Sequence, residues 1–237
     1  MDKKTVDKLN ELNKKFYLKT QVYFNRTREY YWAGWKKLLP YLPVKKDLQR
    51  ETLQVLDVGC GNARFGKFLE ENDLKIEYTG MDNNQYLLDK VDKKLSQAEL
   101  INQDILKTWK IQNRFDLIVF FGILHHVPGL GNRIRILKTA KNHLRGGGLL
   151  VFTLWQFKNI ERLKKKIVKN HKLKGLEKND YILKWEKGEK ANRYCHFVDK
   201  KELKKILSEL NMELIDEFEA DAKEGQGNKY IILKQAG

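Results

Sequence analysis

The chain has 237 residues, 41% hydrophobic and 11% aromatic, a globular composition long enough for one domain with a sizeable core and an appendage. Its 47 Lys and Arg outweigh 31 Asp and Glu, and the resulting formal charge of +16 points to a polyanionic partner such as RNA, against the plainer alternative of a lysine-rich proteome with solvated cations. Two cysteines exclude a framework of disulfides and a four-cysteine zinc site, and no stretch approaches the roughly 18 apolar residues of a membrane span.

The opening MDKKTVDKLNELNKK is charged and has no apolar core of a secretory signal, so a reduced, soluble, cytoplasmic protein is expected. Residues 5–18 and 28–42 read as two helices, the second carrying Tyr30, Tyr31, Trp32 and Trp35. Residues 1–50, with 13 cations against 5 acids, are expected to form an N-terminal helical cap on a catalytic domain over 51–237. The aromatic run suits either packing on the core or stacking on a base.

From Leu53 onward, short apolar runs alternate with amphipathic segments: LQVLDVG, IEYTGMD, AELINQD, FDLIVFFG and GGLLVFTLW. This alternation predicts a doubly wound, mostly parallel sheet of Rossmann-like α/β type. A lysine-rich helix is predicted over about 157–170, an irregular segment to about 197 and a helix over about 199–210. The stretch at about 156–198 reads as a basic insertion; residues 151–210 hold 17 cations against 8 acids, whereas 51–150 hold 14 against 12. MELIDEFEA and NKYIILKQ then predict two strands joined through GQGN, which makes seven strands closed by a C-terminal antiparallel hairpin. Ordinary dinucleotide-binding folds lack that ending; class I methyltransferases have it.

In LDVGCGNARF, Gly59 and Gly61 flank Cys60 at a strand-to-helix turn, where glycine permits positive φ and close approach of a ligand. Asp57, two residues before Gly59, suits the ammonium of a methionine moiety and would gain a phosphate-binding loop nothing. Arg64 stands where the dinucleotide fingerprint places its third glycine. Asp82, 21 residues after Gly61 and followed by Asn83, suits two ribose hydroxyls. Asp104 suits an adenine amino group, with Ile105 packing on the ring, and Phe121-Gly122 would border the methionine side. Three acids ending successive strands point to S-adenosylmethionine (AdoMet) as the cofactor.

His125 and His126 follow the fourth strand; adjacent histidines face apart and lack matching ligands, so no metal is expected. A general base, or a pair packing on the sheet and capping the turn before Pro128, both remain open.

Several segments outside the cofactor loop carry a resemblance. YFNRTREYYW holds Phe24, Thr27, Arg28 and Trp32; GMDNNQYLLD holds Asp82, Gln85 and Leu88; HHVPGLGNRIRIL holds His125, His126, Arg133 and Arg135. Trp155, Asp180 and Trp185 precede Arg193, Tyr194 and His196 in NRYCHF. In these, residues 50–155 look like the type 11 methyltransferase domains, and about 23–200 is similar to the eukaryotic tRNA wobble-uridine carboxymethyl methyltransferases and their bacterial and archaeal relatives. The chain departs from that pattern at Arg145-Gly146, at Lys184 for a proline and at Cys195 for a tyrosine.

The resemblance implies methyl esterification of a carboxymethyl group on the wobble uridine, with tRNA, met at its anticodon region, as partner. Arg28, Arg133 and Arg193 become candidates to grip the acceptor, with His126, Tyr194 and His196 shaping its pocket. Eukaryotic relatives work with a small activator subunit, for which the sequence carries no marker either way. Two other classes are kept open: a small-molecule (metabolite or quinone-like) O- or N-methyltransferase, and a non-catalytic AdoMet- or RNA-binding scaffold.

Overall fold

A computed structural model describes residues 1–27, 30–43, 52–93, 95 and 98–237. Seven strands form the central sheet in the order β3-β2-β1-β4-β5-β9-β8: β1 (Leu53–Val58), β2 (Ile76–Asp82), β3 (Glu99–Asn102), β4 (Phe115–Phe120), β5 (Leu144–Trp155), β8 (Glu213–Ala220) and β9 (Asn228–Lys234). All neighbours through β5 pair in parallel, and β9 lies antiparallel between β5 and β8. The predicted doubly wound sheet with its terminal hairpin is the fold observed.

Helices cover both faces, which is why β1 and β4 are apolar almost throughout. On one face Leu56, Val58, Ile118 and Phe120 pack on α5 (Leu130–Asn142) and α7 (Lys200–Leu210). On the other, Val55, Leu117, Val119 and Val151 meet Trp35 and Leu38 of α2 (Ala33–Leu38) and Phe65, Phe68 and Leu69 of α3 (Arg64–Glu70). The sheet order reverses between β1 and β4, and that is where an open α/β sheet leaves a crevice at its strand ends.

The periphery departs from expectation. α1 runs from Lys3 to Arg26, capped by Asp2 accepting from the Thr5 amide at 2.9 Å, and so outlasts the predicted 5–18. The predicted helix at 28–42 contracts to Ala33–Leu38 and a 3₁₀ turn at Leu39–Tyr41, where Pro40 cannot continue the α-helical bonding; residues 28 and 29 lie outside the described set. The lysine-rich helix shrinks to α6 (Glu161–Lys164), and the segment expected to be irregular holds a second sheet, β6 (Asp180–Trp185) paired antiparallel with β7 (Ala191–His196). Residues 166–168 are drawn onto β6 instead: the Val168 amide donates to Ile182 at 2.8 Å and the Lys184 amide to Lys166 at 2.9 Å. Pairing with a strand overrides the helical propensity of lysine there.

α1 crosses this hairpin, burying Leu9 against Ile182 and Tyr194, with the Phe16 and Trp185 rings 5.9 Å apart. α2 is fastened to the far end of the sheet through Asp221, which accepts from the Gly34 amide at 2.9 Å and the Tyr230 hydroxyl at 2.7 Å.

Candidate functional site

A cavity of about 440 Å³ opens over the crevice, floored by the turn after β1 and walled by α1, Trp32 and the β6–β7 hairpin. The floor follows from the glycines: Gly59 has φ +77° and Gly61 φ +57°. A Cβ on Gly59 would lie 2.6 Å from Ile123 Cδ1, the movable end of that side chain, so it is the positive φ that calls for glycine. The turn folds back on β2, with the Gly59 amide donating to the Met81 carbonyl at 2.7 Å.

Two carboxyls face this floor. Asp57 is buried, 3% exposed, and among the described residues accepts one hydrogen bond, from the Tyr78 hydroxyl at 2.7 Å. Burial pushes its pKa up to about 7; Tyr78 opposes the rise and Asp82 adds to it. A carboxylate so short of donors has room for a cation. Asp82 is also raised by burial, against the pull of the amides around it. Its Oδ2 accepts from the Gly61 amide and its Oδ1 from the Asn84 amide, both at 2.9 Å, so each oxygen keeps a lone pair for a hydroxyl.

Asp57, Gly59, Cys60, Gly61, Asp82, Asn83, Phe121 and Gly122 all line the cavity. Gly122 has φ +73°, and a Cβ there would stand 3.1 Å from Trp32, which stacks on Trp35. Asp104 and Ile105 do not join them. Asp104 caps the turn after β3, accepting from the Leu106 amide at 2.9 Å and from Asn10 of α1 at 3.1 Å, and Ile105 packs on the core. Its hydrogen bonds are taken up by its own turn and by α1.

On the opposite wall Arg193 projects from β7 among three rings, its guanidinium carbon 4.8 Å from the Trp155 centroid, 5.1 Å from Phe16 and 5.7 Å from Trp185. Its Nε is buried without a hydrogen-bond partner, and no carboxylate pairs with it among the described residues. Lys166, Lys184, Lys187 and Arg162 line the cavity beside it. Arg162 is held by Glu224 at 2.8 Å and Lys184 by Glu186 at 3.2 Å. Burial lowers the Lys166 pKa first, and Lys187, Arg193 and Arg162 lower it further against the pull of Glu186.

The other acceptor candidates stand behind this wall. Arg133, fully enclosed, pairs with Glu202 at 2.8 Å and donates to the Val127 carbonyl at 2.7 Å, so it braces the core and grips nothing in the cavity. Tyr194 donates to Asp180 at 2.7 Å, away from the opening. His196 lies between carboxylates, Nδ1 2.6 Å from Asp180 and Nε2 2.7 Å from Glu202. Carboxylates only accept, so both nitrogens carry protons; burial disfavours that charge, but the two acids outweigh it and raise the pKa. His126 is one step from the cavity, with its Nε2 2.8 Å from the hydroxyl of Tyr17, which does line it. Arg28 lies outside the described residues. Tyr17, Asn84, Lys166 and Lys187 also line the cavity with no local signal in the sequence; Tyr17 neighbours the buried Asn13, Phe16 and Thr20 of α1, and only the fold turns it inward.

The family described as methyltransferase domain matches residues 24–217. A protein of Encephalitozoon cuniculi, provisionally assigned as a methyltransferase, is 24% identical over 202 residues, 85% of this chain and 87% of its own. The ubiquinone biosynthesis O-methyltransferase of Coxiella burnetii is 31% identical over 114 residues, 46% of this chain and 47% of its own, so the chain spans about half of that relative. The tRNA (carboxymethyluridine(34)-5-O)-methyltransferase of Schizosaccharomyces pombe is 27% identical over 146 residues, 62% of this chain and 58% of its own. Among solved structures, an S-adenosylmethionine-dependent methyltransferase from Clostridium acetobutylicum superposes with a TM-score of 0.67 at 16% identity, covering 92% of this chain and 98% of that one.

Proposed function

This chain belongs to the methyltransferase-domain family, and from that premise we propose that it methyl-esterifies a carboxymethyl group on the wobble uridine of tRNA. It is an AdoMet-dependent methyltransferase. AdoMet, when bound, supplies an electrophilic methyl group on a sulfonium. The floor residues fit it: Asp57 would take the ammonium, the two oxygens of Asp82 the ribose hydroxyls, and the amides around Gly59 and Gly61 leave no Cβ in the way. Cys60, Asn83, Phe121 and Gly122 complete that wall.

The observation that carries the acceptor is Arg193, a cavity guanidinium inside an aromatic box without an anionic partner among the described residues. A planar cation in that setting holds a carboxylate by two-point bonds. The carboxylate is already ionised at neutral pH, so the protein's work is orientation and exclusion of water rather than proton removal. Trp155 and Trp185 offer faces for a base, as single-stranded RNA bases commonly find, and Lys166 and Lys187 extend the positive surface to the mouth. The fission-yeast relative, whose name specifies carboxymethyluridine in tRNA, supports the same reading.

Incubation with labelled AdoMet, tRNA and small carboxylic acids tests it. Alkali-labile label on tRNA is expected, reduced at least tenfold in Arg193→Gln. Label on small molecules alone would sink the tRNA reading.

A further inference from the structure

We propose that Tyr17 and His126 form a proton relay that gives this site a second acceptor class, acidic phenols methylated on a hydroxyl oxygen. The inference rests on the methyltransferase family and not on tRNA as acceptor. Tyr17 lines the cavity in the company of Trp155, Trp185 and Arg193, and its hydroxyl lies 2.8 Å from His126 Nε2. The shorter contact at His126 Nδ1 gives that bond its direction. His126 Nδ1 is 3.0 Å from the Tyr194 carbonyl oxygen, which can only accept, so Nδ1 carries the hydrogen and Nε2 is the acceptor for Tyr17. Asn13 Nδ2, a donor that also bonds the His126 carbonyl at 3.2 Å, stands farther from Nδ1, at 3.3 Å, while Asn13 Oδ1 accepts from the Tyr194 amide at 2.8 Å. The same ring is faced by His125, 4.1 Å between centroids, and by Cys195 Sγ of β7 at 4.0 Å.

A carboxylate acceptor has no use for such a pair, because it arrives deprotonated. A phenol, with a pKa near 10, has use for one, and a neutral imidazole is a competent terminal base for it. The aromatic walls suit a ring, and Arg193 suits an anion carried by that ring. In the step, the acceptor hydroxyl gives its proton to Tyr17 Oη as the Tyr17 proton passes to His126 Nε2. The acceptor oxygen's electron pair forms the bond to the methyl carbon, and the carbon–sulfur bond breaks with its pair left on sulfur. The imidazolium then releases one proton to solvent.

The probe is 3,4-dihydroxybenzoate, which offers hydroxyls and a carboxylate in one molecule; mass spectrometry separates the methyl ether from the methyl ester. Wild-type protein with AdoMet is expected to make the ether. Tyr17→Phe should lower kcat for the ether about 100-fold with KM little changed, and shift the ether-to-ester ratio by a similar factor. His126→Gln should repeat that shift, with AdoMet titration calorimetry showing each variant folded. A tether of α1 without chemical role would lower both products together. Failure of the wild type to form ether, or an unaltered ratio in Tyr17→Phe, overturns the relay; the labelling of tRNA answers separately for esterification.

Discussion

Burial leaves the Asp57 carboxyl with one hydroxyl donor and a pKa of about 7, so its charge and the binding of a cation are linked. In the ligand-free protein this raised carboxyl favours the acid side: its stabilisation is full below the unfolded value near 4 and is lost as pH climbs through about 7. A bound ammonium needs the opposite form. Calorimetry should therefore show AdoMet affinity falling as pH drops from about 8 to about 6, and Asp57→Asn should weaken binding roughly tenfold to a hundredfold and remove most of that pH dependence. Gly59→Ala is expected to weaken AdoMet binding at least tenfold by calorimetry, since the backbone at φ +77° is strained for alanine and the added methyl displaces Ile123. At this scale the sequence was most informative where a residue's chemistry is set by its neighbours in the chain. The glycine turn and Asp82 are such cases. Asp104 and Arg133 are not, because Asn10 in one case and Glu202 in the other reach them from distant segments and use up their bonding capacity.

The hairpin of β6 and β7 owes its placement to charges behind it. His196, held doubly protonated by Asp180 and Glu202, joins β7 to β6 and to the first turn of α7, and Glu202 in turn holds Arg133 of α5. Removing one member leaves the others buried and unpaired, so His196→Ala should cost about 3 kcal/mol in urea unfolding. The sign of the pH effect is the reverse of a paired acid's. A histidine raised on folding contributes fully below its unfolded value of about 6.5, and that contribution fades as pH rises through the folded value. This element was invisible in the sequence as a hairpin. DYILKW and ANRYCH are short, mixed in polarity and separated by the charged EKGEK, whereas the core strands announce themselves by unbroken apolar runs. The lysine run before it misled in the other direction, since helix propensity yielded to pairing with β6.

Across the whole molecule the charge is divided, with the cations gathered in 1–50 and 151–210 and residues 211–237 carrying 3 against 6 acids. The fold brings Lys166 and Lys187 of the second basic region to the cavity mouth beside Arg193, which composition alone could not say. If single-stranded RNA phosphates are met there, binding must weaken steeply with salt. Fluorescence anisotropy with an anticodon stem-loop should give a log–log salt slope that becomes shallower by about 0.7 for each of Lys166→Gln and Lys187→Gln, with AdoMet affinity unaltered. The doubly wound sheet and its closing hairpin were legible because five apolar runs and a terminal strand pair leave few ways to wind.

The placement of β9 has a bearing on how the protein is made. It is the strand furthest along the chain, yet it pairs on both sides, with β5 and with β8, and its Tyr230 packs against Gly34 of α2. During synthesis on the ribosome, every other strand emerges while that slot still stands open. β5 then presents an unpaired edge, and the wall of the cavity contributed by α2 lacks its anchor. A nascent chain is consequently exposed to edge-to-edge association until β9 inserts, so completion of the donor pocket waits on β9 rather than on the appearance of the glycine turn.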